Sequence, residues 1–237
     1  MALPQVSLPT YELEVPSTGK KIKYRPFVVR EEKLLLLALE GEDEKEIESA
    51  MKTLIKGCVQ SRVKIEDLAI FDLEYIFLKI RSASVGEVVE LNVTCEDDGE
   101  TQVRYNLNLN DVEVSKPGDH SNKIELSDTM GLIMKYPSFK EFVSTSILEK
   151  RMGADEVIEA IAGCIDQLYD GEDVYDSSTT TKKEFCEFLE GLTNNQFEEI
   201  QKFFETTPRL EHVITIKNPN TGVENKVVIA GLTSFFG

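Results

Sequence analysis

The sequence predicts an α+β fold with terminal β-hairpins, helical layers and a β-rich middle segment. Apolar and polar residues alternate on both sides of "PSTG" (16–19) and of "PNTG" (219–222), which is typical of strands joined by turns. Several segments between these turns instead repeat apolar residues every three or four positions, as amphipathic helices do. A hydrophobic content of 41% with 29% charged residues indicates a folded chain rather than a disordered one.

The first predicted element is an N-terminal hairpin. "TYELEV" alternates, "PSTG" supplies the turn, and "KKIKYRPFVV" returns as a strand with Ile22 and Tyr24 on one side. Proline fixes its own φ and glycine accepts a positive φ, so Pro-x-x-Gly suits a chain reversal. "PNTG" repeats this pattern near the other end of the chain. The repeat is better explained by two turns selected by the same chemistry than by a duplicated domain. The terminal strands are also candidates for pairing with each other.

Three helices are predicted next. "REEKLLLLALEG" predicts a helix that stops at Gly41, and "EDEKEIESAMKTLIKGCVQS" carries one apolar stripe along a helix of about four turns. "FDLEYIFLKIRSASVGE" is apolar nearly all round, which predicts a buried helix with Asp72 in its first turn.

The middle of the chain is predicted to be rich in strands and the following part rich in helices. "GEVVELNVTCEDDGETQVRYNLNLNDVEV" indicates a second hairpin, and "NKIELSDTMGLIMKY" continues the β-rich region. After Pro137, "GADEVIEAIAGCIDQLYDG" predicts one helix with an apolar face that extends to Leu168, "GEDVYDSSTTT" predicts an exposed loop, and the end of the chain predicts a hairpin with an apolar tail. Helix starts are marked by three capping boxes: Ser138 to Glu141, Thr181 to Glu184 and Thr193 to Gln196.

These patterns predict two domains. Residues 1–85 and 137–237 are expected to form an α+β body that carries the N- and C-terminal hairpins, and residues 86–136 a β-rich middle subdomain.

Charge limits the class of partner. The net charge is -17, yet residues 1–30 hold five basic and two acidic residues, whereas residues 153–206 hold three basic and fourteen acidic ones. Nucleic acid and anionic membranes are therefore disfavoured as partners, and contacts with other proteins are favoured. The longest apolar run, residues 34–39, is too short to cross a bilayer, and the N-terminal residues lack a signal-peptide pattern, so a cytoplasmic protein is expected.

No catalytic, cofactor-binding or metal-binding residue is predicted. "TGKK" departs from a phosphate loop because Glu14 replaces its first glycine and Lys21 its hydroxyl residue. "CEDDGE" (95–100) lacks calcium-loop spacing and predicts an acidic hairpin tip. The four cysteines are scattered, and Cys58 and Cys164 are expected to be buried. A small-molecule substrate is not expected either, although a metal-dependent hydrolase that uses acidic residues stays open as an alternative.

Two groups of residues are candidates for binding a partner. Lys20, Lys21, Lys23 and Arg25 form a basic patch on an acidic chain, suited either to an acidic neighbour or to the chain's own acidic C-terminal half. Phe235 and Phe236 form an apolar tail that either closes the core or docks on a partner.

Several segments resemble a known family in their order along the chain. "LPTYELEVPSTGKKIKYRPFVVREEKLLLLALEG", "FDLEYIFLKIRSASVGEVVEL", "MKYPS" and "NPNTGVENKVVIAGLTSFF" are similar to the baseplate hub proteins of T4-like contractile-tailed bacteriophages. The resemblance implies a non-enzymatic protein of tail assembly, either a hub component or a transient chaperone absent from the mature virion. Its implied partners are other baseplate hub and tail proteins, and its implied location is the host cytoplasm during assembly and the tail baseplate afterwards. Relatives with paired cysteines in the middle hairpin would bind zinc there, whereas only Cys95 is present here, so no metal is expected.

Overall fold

The structure is a computed structural model that describes residues 7–41, 44–138, 153–231 and 234. Its helices and strands confirm the predicted α+β class. The contacts between residues define two compact units: unit 1 takes its residues from 1–65, 71–115 and 209–237, and unit 2 from 66–70 and 116–208. Among the described residues, no helix is both long enough and apolar enough to span a membrane.

Unit 1 begins with the predicted hairpin. Strands β1 (Tyr11–Glu14) and β2 (Lys21–Tyr24) are antiparallel, with Leu13 opposite Ile22. Gly19 closes the intervening turn at φ +67°, where a residue with a side chain would be strained. Ile22 and Tyr24 are buried on one face of β2, as the alternation predicts.

Three helices follow, and all three were predicted. They are α1 (Val29–Glu40), α2 (Glu44–Cys58) and α3 (Ile70–Val85), with a single 3-10 turn at Ile65–Asp67. The apolar stripe of α2 is buried from Ala50 to Cys58. Helix α3 is the most buried of the three, and even its Asp72 is inaccessible to solvent.

The remaining strands of unit 1 form two small sheets. Strands β3 (Val88–Thr94) and β4 (Gln102–Asn108) make a hairpin, while β5 (Glu113–Ser115), β10 (Arg209–Lys217) and β11 (Glu224–Ala230) pair in the order β11-β10-β5. The terminal strands do not pair with each other in this part of the chain, because β10 pairs with β5 and β1 pairs only with β2. The β3–β4 hairpin, β5, β10 and β11 share one core with Leu78 of α3.

The described residues of unit 2 form a four-stranded antiparallel sheet and three helices. The strands β6 (Lys123–Glu125), β7 (Met130–Met134), β8 (Ile165–Asp170) and β9 (Asp173–Asp176) are neighbours in that order. The helices are α4 (Ala154–Gly163), α5 (Lys182–Glu190) and α6 (Asn194–Glu205), and they share a core with the sheet. The capping boxes at Thr181 and Thr193 are confirmed, whereas Glu141 of the third lies outside the described residues.

Two predictions for this part of the chain are wrong. The helix expected to continue to Leu168 ends at Gly163, and the expected loop contains strand β9. Ile165 and Leu168 have a spacing that suits a helix, but residues 165–170 pair with β7 on one side and β9 on the other. Pairing along both edges of β8 satisfies the hydrogen bonds of its backbone, as a helix would also do. The contacts with β7 and β9 therefore override the local helical pattern.

The units group residues differently from the expected domains. Strands β3 to β5 of the predicted middle subdomain 86–136 belong to unit 1, and β6 and β7 belong to unit 2. The physical reason is pairing over long sequence separations: β5 bonds to β10, and β7 bonds to β8. Whether residues 86–136 separate from the body as one subdomain stays a prediction.

Candidate protein-contact site

The predicted basic patch lies on the exposed face of β2. Lys21 and Lys23 alternate with buried Ile22 and Tyr24, and Lys20 immediately precedes the strand. Lys21 Nζ lies 4.0 Å from Glu12 Oε1, a contact weakened by solvent. Within the described part of the chain, Lys20 and Lys23 form no ion pair. Their ammonium groups are therefore accessible to an external anion.

Arg25, the fourth member of the patch, is held inside unit 1. Its guanidinium donates to both carboxylate oxygens of Glu31, at 2.7 and 3.2 Å, and to the carbonyls of Pro26 and Gly57, at 2.8 and 2.9 Å. The side chains of Arg25 and Glu31 are only 18% and 8% exposed. The Arg25 hydrogen bonds lower the pKa of the Glu31 carboxyl, with a further contribution from the Val28 amide. Arg25 thus joins β2 to the start of α1 and the end of α2.

The backbone of β2 is fixed by the end of α2 and the residues after it. The Lys23 amide donates to Ser61 Oγ at 2.8 Å, and the Lys23 carbonyl accepts from the Gln60 amide at 2.8 Å. The Arg25 amide donates to the Cys58 carbonyl at 3.0 Å. These bonds hold the backbone of Lys23 against residues 60 and 61. Lys21 and Lys23 therefore project from a strand whose backbone is fixed, and Lys20 from the end of the turn before it.

A second exposed feature of unit 1 was missed at the sequence level. On α1, Leu34, Leu36 and Leu37 are 45%, 53% and 56% exposed. Leu34 and Leu37 also line a groove of about 380 Å³ between α1 and α2. The signal is the run "LLLL": successive helical residues are rotated by about 100°, so four adjacent leucines cannot all face one core. Exposed leucines at such a density are typical of contact surfaces.

The proposed apolar anchors Phe235 and Phe236 lie outside the described residues. Their role as a docking tail stays a prediction.

The turn at residues 16–19, which superficially resembles a phosphate loop, is occupied by a carboxylate of the protein itself. The Ser17 amide and hydroxyl donate to Asp72 at 2.9 and 2.5 Å. Asp72 is fully buried, so its charge needs these donors. The groups that would hold a phosphate are therefore engaged by an anion of the fold.

The carboxylates of the acidic tip "CEDDGE" also accept hydrogen bonds from a distant part of the same unit. Asn218 Nδ2 donates to Asp97 and Asp98 at 2.9 Å each, and the Thr221 hydroxyl donates to Asp97. Hydrogen bonds lower the pKa of both carboxyls, from Asn218 first for Asp97 and from Thr101 first for Asp98. These carboxylates fasten the β3–β4 turn to the "PNTG" turn.

Neither the cysteines nor the carboxylates of the described residues form a metal centre. Cys95 and Cys58 are buried, and burial raises the pKa of the Cys58 thiol to about 11, so it stays protonated at neutral pH. No group of three or more His, Cys, Asp or Glu side chains in this part of the chain could hold a metal ion.

Comparison with known proteins assigns the chain to a protein family. No curated protein and no solved structure gives a significant match to this chain. A protein-family model described as "T4 bacteriophage base plate protein" matches residues 8–237, which is nearly the whole sequence. The chain therefore belongs to the T4 bacteriophage base plate protein family.

Proposed function

We propose that this protein is a non-enzymatic structural component of the baseplate hub in a contractile-tailed phage and acts through protein–protein contacts. The family match over residues 8–237 is the observation that carries the proposal. The resemblance of the N-terminal and C-terminal segments to hub proteins supports the more specific assignment to the hub. The proposed locations are the host cytoplasm during assembly and the tail baseplate of the virion.

The proposed contact surface is the basic face of β2. Lys20 immediately precedes β2, and Lys21 and Lys23 project from it. Arg25 and the end of α2 hold this strand in place, so binding would cost conformational entropy in the lysine side chains but little in the backbone. Their partner is an acidic surface of another hub or tail protein. Phe235 and Phe236 are proposed as additional apolar anchors, and the exposed leucines of α1 as a further contact.

Charge reversal tests this surface. Lys20→Glu with Lys23→Glu should reduce the number of assembled baseplates when the variant complements a phage that lacks the gene, because the acidic partner would be repelled. The matched control is Lys217→Glu with Lys226→Glu, two exposed lysines on the terminal hairpin with the same change in charge. Unchanged assembly with the first pair, given normal circular dichroism of the purified protein, contradicts the role of β2.

Quantitative mass spectrometry of purified virions tests the structural role. A fixed stoichiometric copy number per tail is expected for a hub component. Absence from virions, combined with failed baseplate assembly in its absence, would instead identify the protein as a transient assembly chaperone.

A further inference from the structure

A second candidate surface, lined by aromatic residues together with Thr179, Thr180 and Glu184, lies in unit 2, far along the sequence from β2. It is an open cleft of about 420 Å³ between the β8–β9 hairpin and helix α5. Leu168 and Tyr175 face each other across the two strands, and Phe185 and Phe188 of α5 contribute to the lining. Phe185 is 2% exposed whereas Tyr175 is 46% exposed, so the cleft has a buried floor and an accessible aromatic wall.

Strand β9 adds to this surface because it ends the sheet. In the described part of the chain β9 has only β8 as a neighbour. β9 carries Asp173 and Asp176, charged residues of the kind that discourage association at a sheet edge, but between them it exposes 46% of Tyr175 on the cleft side and 59% of Val174 on the opposite face. An exposed aromatic side chain on a sheet edge beside a cleft is typical of a surface that receives a partner segment.

The charges around the cleft restrict the partner. Residues 166–190 contain eight acidic and two basic residues. Both lysines form ion pairs within the unit. Lys182 Nζ lies 3.7 Å from Glu159 of α4, and Lys183 Nζ lies 3.6 Å from Glu187 of α5. At the hairpin tip, Glu172 and Asp173 are exposed and form no ion pair with a described residue. The rim is therefore strongly anionic.

Two rim carboxylates are also held in the ionised form by the fold. Ser178 donates to Asp176 and lowers the pKa of its carboxyl, and Thr181 does the same for Glu184. A negative rim repels nucleic acid and acidic proteins, and it favours lysine and arginine.

We propose that this cleft binds a basic segment of another protein, which places one large apolar side chain between Tyr175 and Phe188 and its lysines or arginines on the carboxylate rim. This surface is formed by other residues than the basic face of β2 and takes a partner of opposite charge. The inference stands on the cleft, the exposed edge and the rim charges, so it does not depend on the assignment to the baseplate hub.

Selection from a displayed library of random short peptides tests the proposal, with the full-length protein as the immobilised target. The enriched peptides should contain lysine or arginine on both sides of a leucine, isoleucine or aromatic residue. Their affinity, measured by fluorescence anisotropy, should fall about tenfold or more with Tyr175→Ala or with Asp173→Lys, and it should fall as salt rises. Both substituted positions are exposed, so the variants should keep the fold.

Asp128→Lys is the matched control, because Asp128 is an exposed acidic residue in the β6–β7 turn of the same unit and should leave affinity unchanged. No enrichment, enriched peptides without an excess of basic residues, or equal affinity for the Tyr175→Ala variant would each overturn the proposal. Light scattering that shows a dimer of the wild-type protein, lost in Tyr175→Ala, would identify a second copy of this chain as the occupant and would also overturn it.

Discussion

Units 1 and 2 secure their irregular segments by different chemistry. In unit 1 the connections are carboxylates paired with donors: Glu31 with Arg25, Asp72 with Ser17, and Asp97 with the "PNTG" turn. In unit 2 the loop of residues 117–121 is held by its neutral His120, which stacks on Tyr136. The helices α5 and α6 begin with capping boxes. Charged hydrogen bonds are stronger than neutral ones, and at the buried Glu31 and Asp72 the loss of a partner leaves a buried charge, so substitutions at these sites of unit 1 should cost more.

The aromatic group of unit 2 is built around His120. Its Nδ1 lies 2.9 Å from Thr206 Oγ1, and its Nε2 lies 3.1 Å from the Tyr136 hydroxyl. The imidazole also stacks on Tyr136 and lies against Phe203, with ring centroids 5.5 and 5.2 Å away. Burial lowers the pKa of His120, with Asp119 opposing this effect, so the ring is neutral at physiological pH.

The largest expected effect comes from breaking the Arg25 pair in unit 1. Arg25→Ala should reduce the free energy of unfolding by about 3 kcal/mol, because the mostly buried Glu31 loses the cation that binds both its oxygens and keeps only the exposed Arg30, 3.7 Å away. Chemical denaturation gives the magnitude, and hydrogen exchange should increase in peptides from α1 and α2. Arg62→Ala, at an exposed arginine nearby, is the control. A loss below about 1 kcal/mol would place the Arg25 pair among ordinary surface ion pairs.

The largest effect expected in unit 2 comes from packing rather than charge. A Cβ atom on Gly131 would lie 2.3 Å from the Ile124 carbonyl oxygen and 2.3 Å from the Tyr169 hydroxyl. Gly131→Ala should therefore cost about 2 kcal/mol of unfolding free energy, since the backbone of β6 must move. Gly118→Ala in the same unit is the control, because a Cβ there meets nothing within 4 Å. Equal stability of the two variants would contradict the close approach of Tyr169 to β7.

A smaller effect is expected at the neutral cap of helix α6 in unit 2. Thr193→Ala removes the hydroxyl that accepts the Gln196 amide at 3.5 Å and should cost about 1 kcal/mol. Gln201→Ala, at an exposed position of the same helix, should leave the denaturation midpoint unchanged. A cost for Thr193→Ala that equals the cost of Arg25→Ala would remove the contrast between the two units.

The smallest effect is a difference in pH response. The folded-state pKa of His120 lies below its usual value of 6.5, so its contribution to stability is complete above that pH and is lost as the pH falls through the folded pKa. The pKa values of Glu31 and Asp97 are lowered from 4.5 and 3.8, so their contributions persist to lower pH. Denaturation midpoints measured on acidification below pH 6.5 should therefore fall for the wild type and fall less for His120→Phe. Parallel curves for the two proteins would show that His120 does not couple folding to pH.

The sequence predicted the elements whose partners lie near them in the chain. The hairpin β1–β2, the stripe of α2, the buried α3 and the caps at Thr181 and Thr193 follow from alternation, helical spacing and capping chemistry. The basic face of β2 was predicted for the same reason, since alternation alone places Lys21 and Lys23 on one side. The sequence did not show that Arg25 faces inward, because its partners Glu31 and Gly57 meet it only when α1 and α2 fold back.

By itself, then, the sequence determined the α+β class, the local hairpins and helices, and the acidic and basic ends of the chain, because these depend on residue type and short spacing. The tertiary structure alone decided that residues 165–170 are a strand, that β5 pairs with β10, and that Asp72 and Asp97 fasten two distant turns. Backbone groups and charged side chains are satisfied by whichever groups the complete fold brings within hydrogen-bonding distance, and residue spacing along one segment carries no information about groups thirty or more positions away.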